Sequence, residues 1–181
     1  MMTLFDRIRE RARDPHRLTS MSHLDPCEQY PPTSPLYVAA AEAAIELRLP
    51  LLLHKMYTQI GNGGIGPAWG VLGVEGRPHA YTWSRASPRQ PIGLIGVYYQ
   101  WRQWSAWPPQ LVPICNWGCS HWSCLDCSQP EAPVIFYLGT RGELRLQSLS
   151  FASWMEAWLN DVNLWDVGMS GDEYCKLIDS E

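Results

Sequence analysis

Apolar residues recur every three or four positions in several segments, a spacing that predicts helices with one buried face. Ser34 and Pro35 form a helix start, because the serine hydroxyl can cap the first turn and the proline ring presets the first helical dihedral angle. Pro50 fits the first turn of a second helix, which ends at the glycine-rich turn over residues 61–64. The inward face of the first of these two helices is predicted to hold Leu36, Ala40, Ala43, Ala44 and Leu47.

Three further segments have helical spacing. Residues 4–12 predict either a short amphipathic helix or a frayed tail, because one or two turns bury little apolar area. Ser87 and Pro88 open another predicted helix, for which a strand is the competing interpretation, and its periodic face holds Ile92, Ile95, Tyr99 and Arg102. Ser150 caps a last helix with an apolar stripe of Phe151, Trp154, Met155, Trp158, Leu159 and Val162.

The middle of the chain has the pattern of β-strands. WGVLGV at residues 69–74 predicts a first strand. From Leu111 onward, short β-rich runs are separated by Gly, Asn, Ser and Pro, namely LVPICNW, HWSCLDC, VIFYLG and ELRLQSL. Helices first, a meander next and a closing helix lying on the sheet predict a single α+β domain, with a central, mostly antiparallel sheet flanked by helices.

Composition and prolines define the expected domain organisation. The length of 181 residues suits one domain, and 46% hydrophobic with only 18% charged residues excludes a disordered chain. Four prolines between residues 18 and 35 prevent a continuous helix there. We therefore predict an N-terminal helix or tail with a Pro-rich linker over residues 1–34, and the α+β domain over residues 35–181.

The charge balance is acidic beyond the first 17 residues. The chain has a formal net charge of -4, and residues 18–181 carry nine basic and fifteen acidic side chains. This balance argues against a nucleic-acid-binding surface, although an acidic end could meet a basic protein. No stretch has the length and apolar character of a membrane span or a secretory signal. We therefore expect a cytoplasmic protein that does not bind membranes.

Four of the six cysteines lie close together beside His121, at Cys115, Cys119, Cys124 and Cys127. Four thiolates, or three with a histidine, can hold zinc, but structural zinc ligands usually form two short-spaced pairs far apart in sequence. The interpretation we favour is reduced thiols packed in the core. A nucleophilic cysteine with His121 as its base lacks any motif that would orient the histidine. We predict no metal, no cofactor and no catalytic residue.

Two other local features have structural interpretations. GNGGIG at residues 61–66 has the glycine spacing of a dinucleotide fingerprint, but a helix precedes it and Pro67 follows, the reverse of the required order. Asn62, Gly63 and Gly64 are therefore predicted to form a turn. Asp126 lies inside a predicted strand, and burying its carboxylate there without hydrogen-bond donors would cost roughly several kcal/mol. We expect it to be hydrogen-bonded to a neighbouring turn or loop.

Tryptophan is the most unusual component, with ten residues against three phenylalanines. A domain of this size cannot hide every indole, and exposed aromatic side chains typically anchor protein interfaces. The candidates for a partner-binding surface are Trp101, Trp104, Trp107 and Trp122.

The order of these motifs resembles the SUKH superfamily. The features that carry the resemblance are the second helix start at residues 47–50, the turn at residues 62–64, the run LVPICNWGCSHWSCLDCS, the run VIFYLG and the closing helix SFASWMEAWL. The resemblance covers roughly residues 35–165. Structural roles are expected for Trp117, Asp126, Trp154 and Trp158.

The resemblance implies a function in protein binding without catalysis. Bacterial members of the superfamily are often immunity proteins of toxin systems, and fungal members regulate cell-wall synthesis. Many of the toxins are nucleases with basic surfaces, which an acidic inhibitor would complement. Two alternatives stay open, a regulatory or scaffold protein without a toxin partner and a zinc protein that uses the cysteine cluster.

Overall fold

The computed structural model describes residues 2–14, 17, 30–74 and 93–176. Within this part of the chain there are six helices and five strands. In chain order they are α1 (Leu4–Arg11), α2 (Pro35–Ile45), α3 (Leu51–Gln59), α4 (Leu94–Arg102), β1 (Leu111–Gly118), β2 (His121–Asp126), β3 (Val134–Leu138), β4 (Glu143–Ser148), α5 (Phe151–Leu159), α6 (Leu164–Ser170) and β5 (Glu173–Lys176).

The five strands form one antiparallel sheet in sequential order, β1 to β5, which confirms the predicted α+β class and the meander. β2 and β3 are buried along their whole lengths, because both faces of the sheet are covered. Alternation along the strands divides the side chains between those faces. Trp122 and Tyr137 contact Trp101 of α4, whereas Phe136 contacts Trp165 of α6 on the opposite face.

Helix α2 forms as predicted but buries the opposite face. Ser34 caps it and Pro35 is its first residue. The side turned toward α3 and α4 holds Val38, Ala41, Glu42 and Ile45. The predicted inward face is instead turned outward. Leu47 is half-buried, and four residues are exposed, namely Leu36, Ala40, Ala43 and Ala44. The prediction failed because α2 has apolar residues on all sides, so periodicity alone does not select one of them.

Two other predicted elements differ from the structure. Residues 69–74 do not form a strand, and their pairing with β1 is limited to a bridge between Val71 and Cys115 and a hydrogen bond from the Leu72 N–H to the Ile114 carbonyl. Helix α4 begins at Leu94, and the predicted start at residues 87–88 lies outside the described residues. It buries Leu94, Ile95, Val97 and Tyr98. Of the predicted buried face, Ile95 is buried as expected, whereas Tyr99 and Arg102 are exposed. The remaining predicted position, residue 92, lies outside the described residues.

The C-terminal part extends beyond the predicted last helix. Helix α5 ends at Leu159, and Val162 at the end of the predicted stripe is 45% exposed. The sequence pattern predicts neither α6 nor β5. A usable signal for α6 was Asn163, whose side chain caps the helix by accepting from the Asp166 N–H.

The N-terminal segment is a helix that packs on the domain. Ile8 of α1 is fully buried in the main core, and α1 contacts α3 and α5. The Arg11 guanidinium lies over the Trp158 ring, 4.3 Å from its centroid, and donates to the Trp158 carbonyl at 2.7 Å. It also forms an ion pair with Asp161 at 2.8 Å. Arg11 therefore fastens α1 to the end of α5.

Replacing Arg11 with alanine is expected to release α1 and to lower the free energy of unfolding by about 2–4 kcal/mol, because buried carbonyl and ring partners lose a charged donor. Chemical denaturation measures the loss, and hydrogen exchange should show it in residues 4–11 first. Arg9→Ala is the matched control, because Arg9 is 47% exposed in an ion pair within one turn of α1. Equal losses in the two variants would contradict a specific role for Arg11.

Candidate protein-binding surface

The four tryptophans predicted as partner-binding residues come together in one aromatic cluster with Tyr137. Trp101 is central, because its ring centroid lies 4.3 Å from that of Trp107, 5.4 Å from that of Trp122 and 5.0 Å from that of Tyr137. All three contacts are edge-to-face, the geometry that aromatic quadrupoles favour. Trp104 completes the group, 6.2 Å from Tyr137. We call these five residues the tryptophan cluster.

Only part of the tryptophan cluster reaches the surface. Trp107 is 1% exposed and Trp122 is 7% exposed, so these two indoles belong to the core and offer little area to a partner. Trp101 and Trp104 are half-buried. The predicted surface is therefore corrected to Trp101 and Trp104. The buried rings of Trp107, Trp122 and Tyr137 pack against them from the core side.

Hydrogen bonds from side chains to backbone carbonyls hold this surface in place at the end of α4. The Trp107 indole N–H donates to the Leu111 carbonyl at 3.1 Å, which fixes the connection to β1. The Tyr98 hydroxyl donates to the Pro109 carbonyl at 2.8 Å. Arg102 donates to the Trp107 carbonyl at 3.3 Å. The half-buried indoles of Trp101 and Trp104 are thus held in place at the end of α4. Preorganisation of this kind lowers the entropy lost on binding.

The Asn62–Gly64 turn is structural, as predicted. The Asn62 side-chain oxygen accepts from the Val74 N–H at 2.9 Å, and Gly63 and Gly64 have left-handed φ angles of 97° and 75°. Next to it, the Tyr57 hydroxyl donates to the Leu72 carbonyl at 2.5 Å. Burial raises the pKa of Tyr57 well above its usual range, so it stays a neutral donor. The turn positions residues 71–74 against the sheet.

The sheet does not bring the four clustered cysteines to one point, because Cys115 and Cys124 lie on neighbouring strands whereas Cys119 and Cys127 lie beyond opposite ends of β2. Cys119 is exposed in the β1–β2 turn, and Cys127 follows the far end of β2. The six extended residues of β2 lie between them and span about 20 Å, so these two thiols cannot share one zinc ion. Among the described residues, no group of three His, Cys, Asp or Glu side chains is arranged to hold a metal ion. This geometry does not support the zinc alternative built on Cys115, Cys119, Cys124 and Cys127.

The environments of Cys124 and Cys127 argue against a nucleophilic thiolate at these two positions. Burial raises the pKa of Cys124, and burial together with the nearby Asp126 carboxylate raises the pKa of Cys127 to about 12. Both thiols are therefore protonated at neutral pH. The His121 ring is 2.8 Å from the Cys119 carbonyl through Nδ1, and it packs against Trp165 at 5.1 Å. Its observed partners are a backbone carbonyl and aromatic rings.

Asp126 is the hydrogen-bonded carboxylate that the sequence predicts. It is 1% exposed and accepts from the Ser128 N–H and hydroxyl, the Gln129 amide and the Tyr174 hydroxyl. Burial alone raises the pKa of Asp126, but these hydrogen bonds outweigh it and the pKa lies below its usual value. The Tyr174 contact ties β5 to the end of β2. Asp126 therefore has a structural role.

A buried polar network connects Trp117 and Trp154, two of the remaining predicted structural tryptophans. The Trp154 N–H donates to the Gln147 side-chain oxygen at 3.0 Å, and the Ser123 hydroxyl donates to the same oxygen at 2.6 Å. The Trp117 N–H donates to Ser123 at 2.8 Å. Trp158 is 1% exposed and packs on Arg11. Ser123 and Gln147 were not predicted as structural residues, because nothing in the strand pattern distinguishes them from solvent-facing polar residues.

Comparison with known proteins agrees with this architecture. A protein-family model, the SMI1 / KNR4 family (SUKH-1), matches residues 32–157. The match covers most of the chain, from just before α2 to near the end of α5. The fold and the match together define a SUKH-type α+β domain. The chain belongs to the SMI1 / KNR4 family (SUKH-1).

The search among curated proteins found no match for this sequence. Within the described residues, no helix has both the length and the apolar character needed to span a membrane.

Proposed function

We propose that this protein is a non-enzymatic immunity protein that acts in the cytoplasm by binding and blocking a cognate toxin. The observation that carries the proposal is the surface of Trp101 and Trp104, half-buried and fixed by the ring contacts of the cluster, on a domain of the SUKH-1 family. Tryptophan is the residue type most enriched among the energetically dominant positions of protein interfaces.

Charge supports a basic partner. Residues 18–181 carry nine basic and fifteen acidic side chains, and the region from residue 150 onward has seven acids with Lys176 as its single base. Complementary charge raises the association rate and favours the cognate partner over neutral or acidic proteins. A nuclease toxin with a phosphate-binding surface has the required basic character. Because blocking is stoichiometric, the proposal assigns no catalytic residue and no cofactor.

The test is co-expression with a candidate toxin domain encoded by a gene next to this one. The expected result is a stable one-to-one complex in size-exclusion chromatography and survival of cells that the toxin alone kills. A complex without rescue would favour the regulatory or scaffold alternative. Absence of both a complex and rescue would contradict the immunity function.

The Trp104→Ala variant is expected to weaken toxin binding by about thirtyfold, since truncating a central interface tryptophan typically costs about 2 kcal/mol or more. Titration calorimetry with the purified toxin domain measures the loss. Trp165→Ala is the matched control, because Trp165 is also half-buried but contacts Trp117 and His121 on the opposite face of the sheet. Equal affinities of the Trp104→Ala variant and the wild type would place the binding surface elsewhere.

A further inference from the structure

The outer face of helix α2 is apolar and uncovered within the described part of the chain. Leu36 is 80% exposed and Tyr37 is 65% exposed. Glu42, the one charged residue of α2, is buried, and its carboxylate accepts from the Leu49 N–H and from Arg48. The other exposed residues of this face are Ala39, Ala40, Ala43 and Ala44. The outer face of α2 therefore presents no charge.

Tyr99 of helix α4 extends this face. Its hydroxyl donates to the Ala44 carbonyl near the end of α2, and the residue is 49% exposed. The hydrogen bond restricts the ring to one position beside the helix. An aromatic side chain that is already ordered loses little conformational entropy when a partner covers it.

We propose that the outer face of α2 is a homodimer interface, in which it packs against the same face of a second copy with the two helices antiparallel. A helix that is apolar on all sides is normally buried on all sides, and α2 already buries its inner face against α3 and α4. A two-fold interface brings identical patches together, so a patch without charge meets no like-charge repulsion.

The ends of α2 favour the antiparallel arrangement. Glu46 is exposed at the C-terminal cap, and the first turn of α2 has no acidic residue. In an antiparallel pair, Glu46 of each copy lies near the N-terminus of the other α2. A carboxylate is favourable there because the helix dipole makes the N-terminus positive. The arrangement is repeated twice in the dimer.

The same observations argue against other occupants. A membrane-binding helix carries several Lys or Arg along its polar face, whereas α2 contains neither and the Arg48 that follows it is paired with Glu42. A basic toxin would gain no charge complementarity from a neutral face. The proposed interface with a second copy uses residues other than Trp101 and Trp104, and it does not depend on the proposed toxin.

The size of the face sets the expected affinity. Helix α2 has 11 residues, which corresponds to a length of about 16 Å. A face this long and about 10 Å wide is smaller than the roughly 800 Å² that each partner buries in a typical stable complex. We therefore expect a weak dimer with a dissociation constant on the order of 10 μM or above.

Sedimentation velocity of the full chain from low micromolar to submillimolar concentration tests the proposal. The wild type is expected to shift from monomer to dimer, and Ala40→Glu is expected to weaken association at least tenfold, because it buries a carboxylate from each copy near the two-fold axis. Ala152→Glu is the matched control, since Ala152 is exposed on α5 and the charge change is identical. Circular dichroism and thermal unfolding check that each variant is folded.

Two outcomes would overturn the proposal. One is a wild-type chain that stays monomeric throughout the concentration range. This outcome overturns the proposal also when the monomer binds phosphatidylserine vesicles in a flotation assay. The other is equal association of the two glutamate variants. If Ala40→Glu does not fold, Leu36→Gln takes its place, because that side chain is 80% exposed and its replacement leaves the core intact. Unchanged dimerisation of the Leu36→Gln variant would also count against the interface.

Discussion

Replacing Gly63 with alanine is expected to lower the free energy of unfolding by about 3 kcal/mol or more, a large share of the stability of an ordinary domain. Gly63 has a φ of 97°, where a residue with a Cβ atom is strained. The added Cβ would also lie 2.5 Å from the Gly73 nitrogen and 3.0 Å from the Val71 carbonyl oxygen. Both contacts are with backbone, so relief requires the whole turn to move. Urea denaturation measures the loss.

Gly118→Ala separates the two causes. Gly118 has a similar φ of 86°, but a Cβ atom there would have no neighbour within 4 Å. Its replacement should therefore cost about 1 kcal/mol, the conformational part alone. The difference of about 2 kcal/mol between the two variants measures the close approach of the turn to Gly73. If both variants lose the same amount, the packing of the turn against residues 71–73 does not contribute as described.

The sheet was predictable because local signals agree with tertiary structure. Each strand is a continuous apolar or alternating run, and turn-forming residues separate the runs. At the β1–β2 turn, Cys119 and Ser120 both adopt left-handed φ angles, which close a two-residue hairpin without glycine at either position. The short β5 has only four residues and depends on pairing with β4, so its own sequence gives little indication of a strand.

Helix orientation was less predictable than helix location. In α2, Leu36 and Ala40 are as suitable for a core as Val38 and Ala41, and only contact with α3 and α4 decides between the two faces. In α4, Tyr98 and Tyr99 are adjacent and chemically identical, yet Tyr98 is 5% exposed and Tyr99 49%. Tertiary packing makes these choices, and a single sequence does not encode them locally.

The location of the tryptophan cluster was predictable, but the burial of its individual members was not. Tryptophans spaced three residues apart at the end of a helix were expected to gather, and Trp101, Trp104 and Trp107 do contact one another or share Tyr137. Their different burial depends on a partner strand distant in sequence. Tyr137 and Trp122 pair across β2 and β3, and they form the floor on which Trp101 packs. Sequence spacing alone does not identify that floor.

Replacing Gln147 with leucine is expected to lower the free energy of unfolding by about 2–4 kcal/mol, although the side chains are similar in size and leucine is more apolar. The Gln147 amide donates to the Leu164 carbonyl at 2.8 Å, and its oxygen accepts from Trp154 and Ser123. Leucine would leave a carbonyl, an indole N–H and a hydroxyl without these partners in the interior. Each unsatisfied buried group costs about 1–3 kcal/mol, and the gain in apolar burial offsets part of the sum.

Gln100→Leu is the control for this change, because Gln100 is exposed on α4 and its replacement should alter stability by less than about 0.5 kcal/mol. Ser123→Ala provides a second comparison within the network. If the groups act as a unit, the double variant Ser123→Ala/Gln147→Leu loses less than the two single losses added together, since the serine hydroxyl no longer needs its acceptor. Additive losses would mean that Gln147 stabilises α5 and α6 independently of Ser123, and that the polar contacts on this side of the sheet do not form a cooperative network.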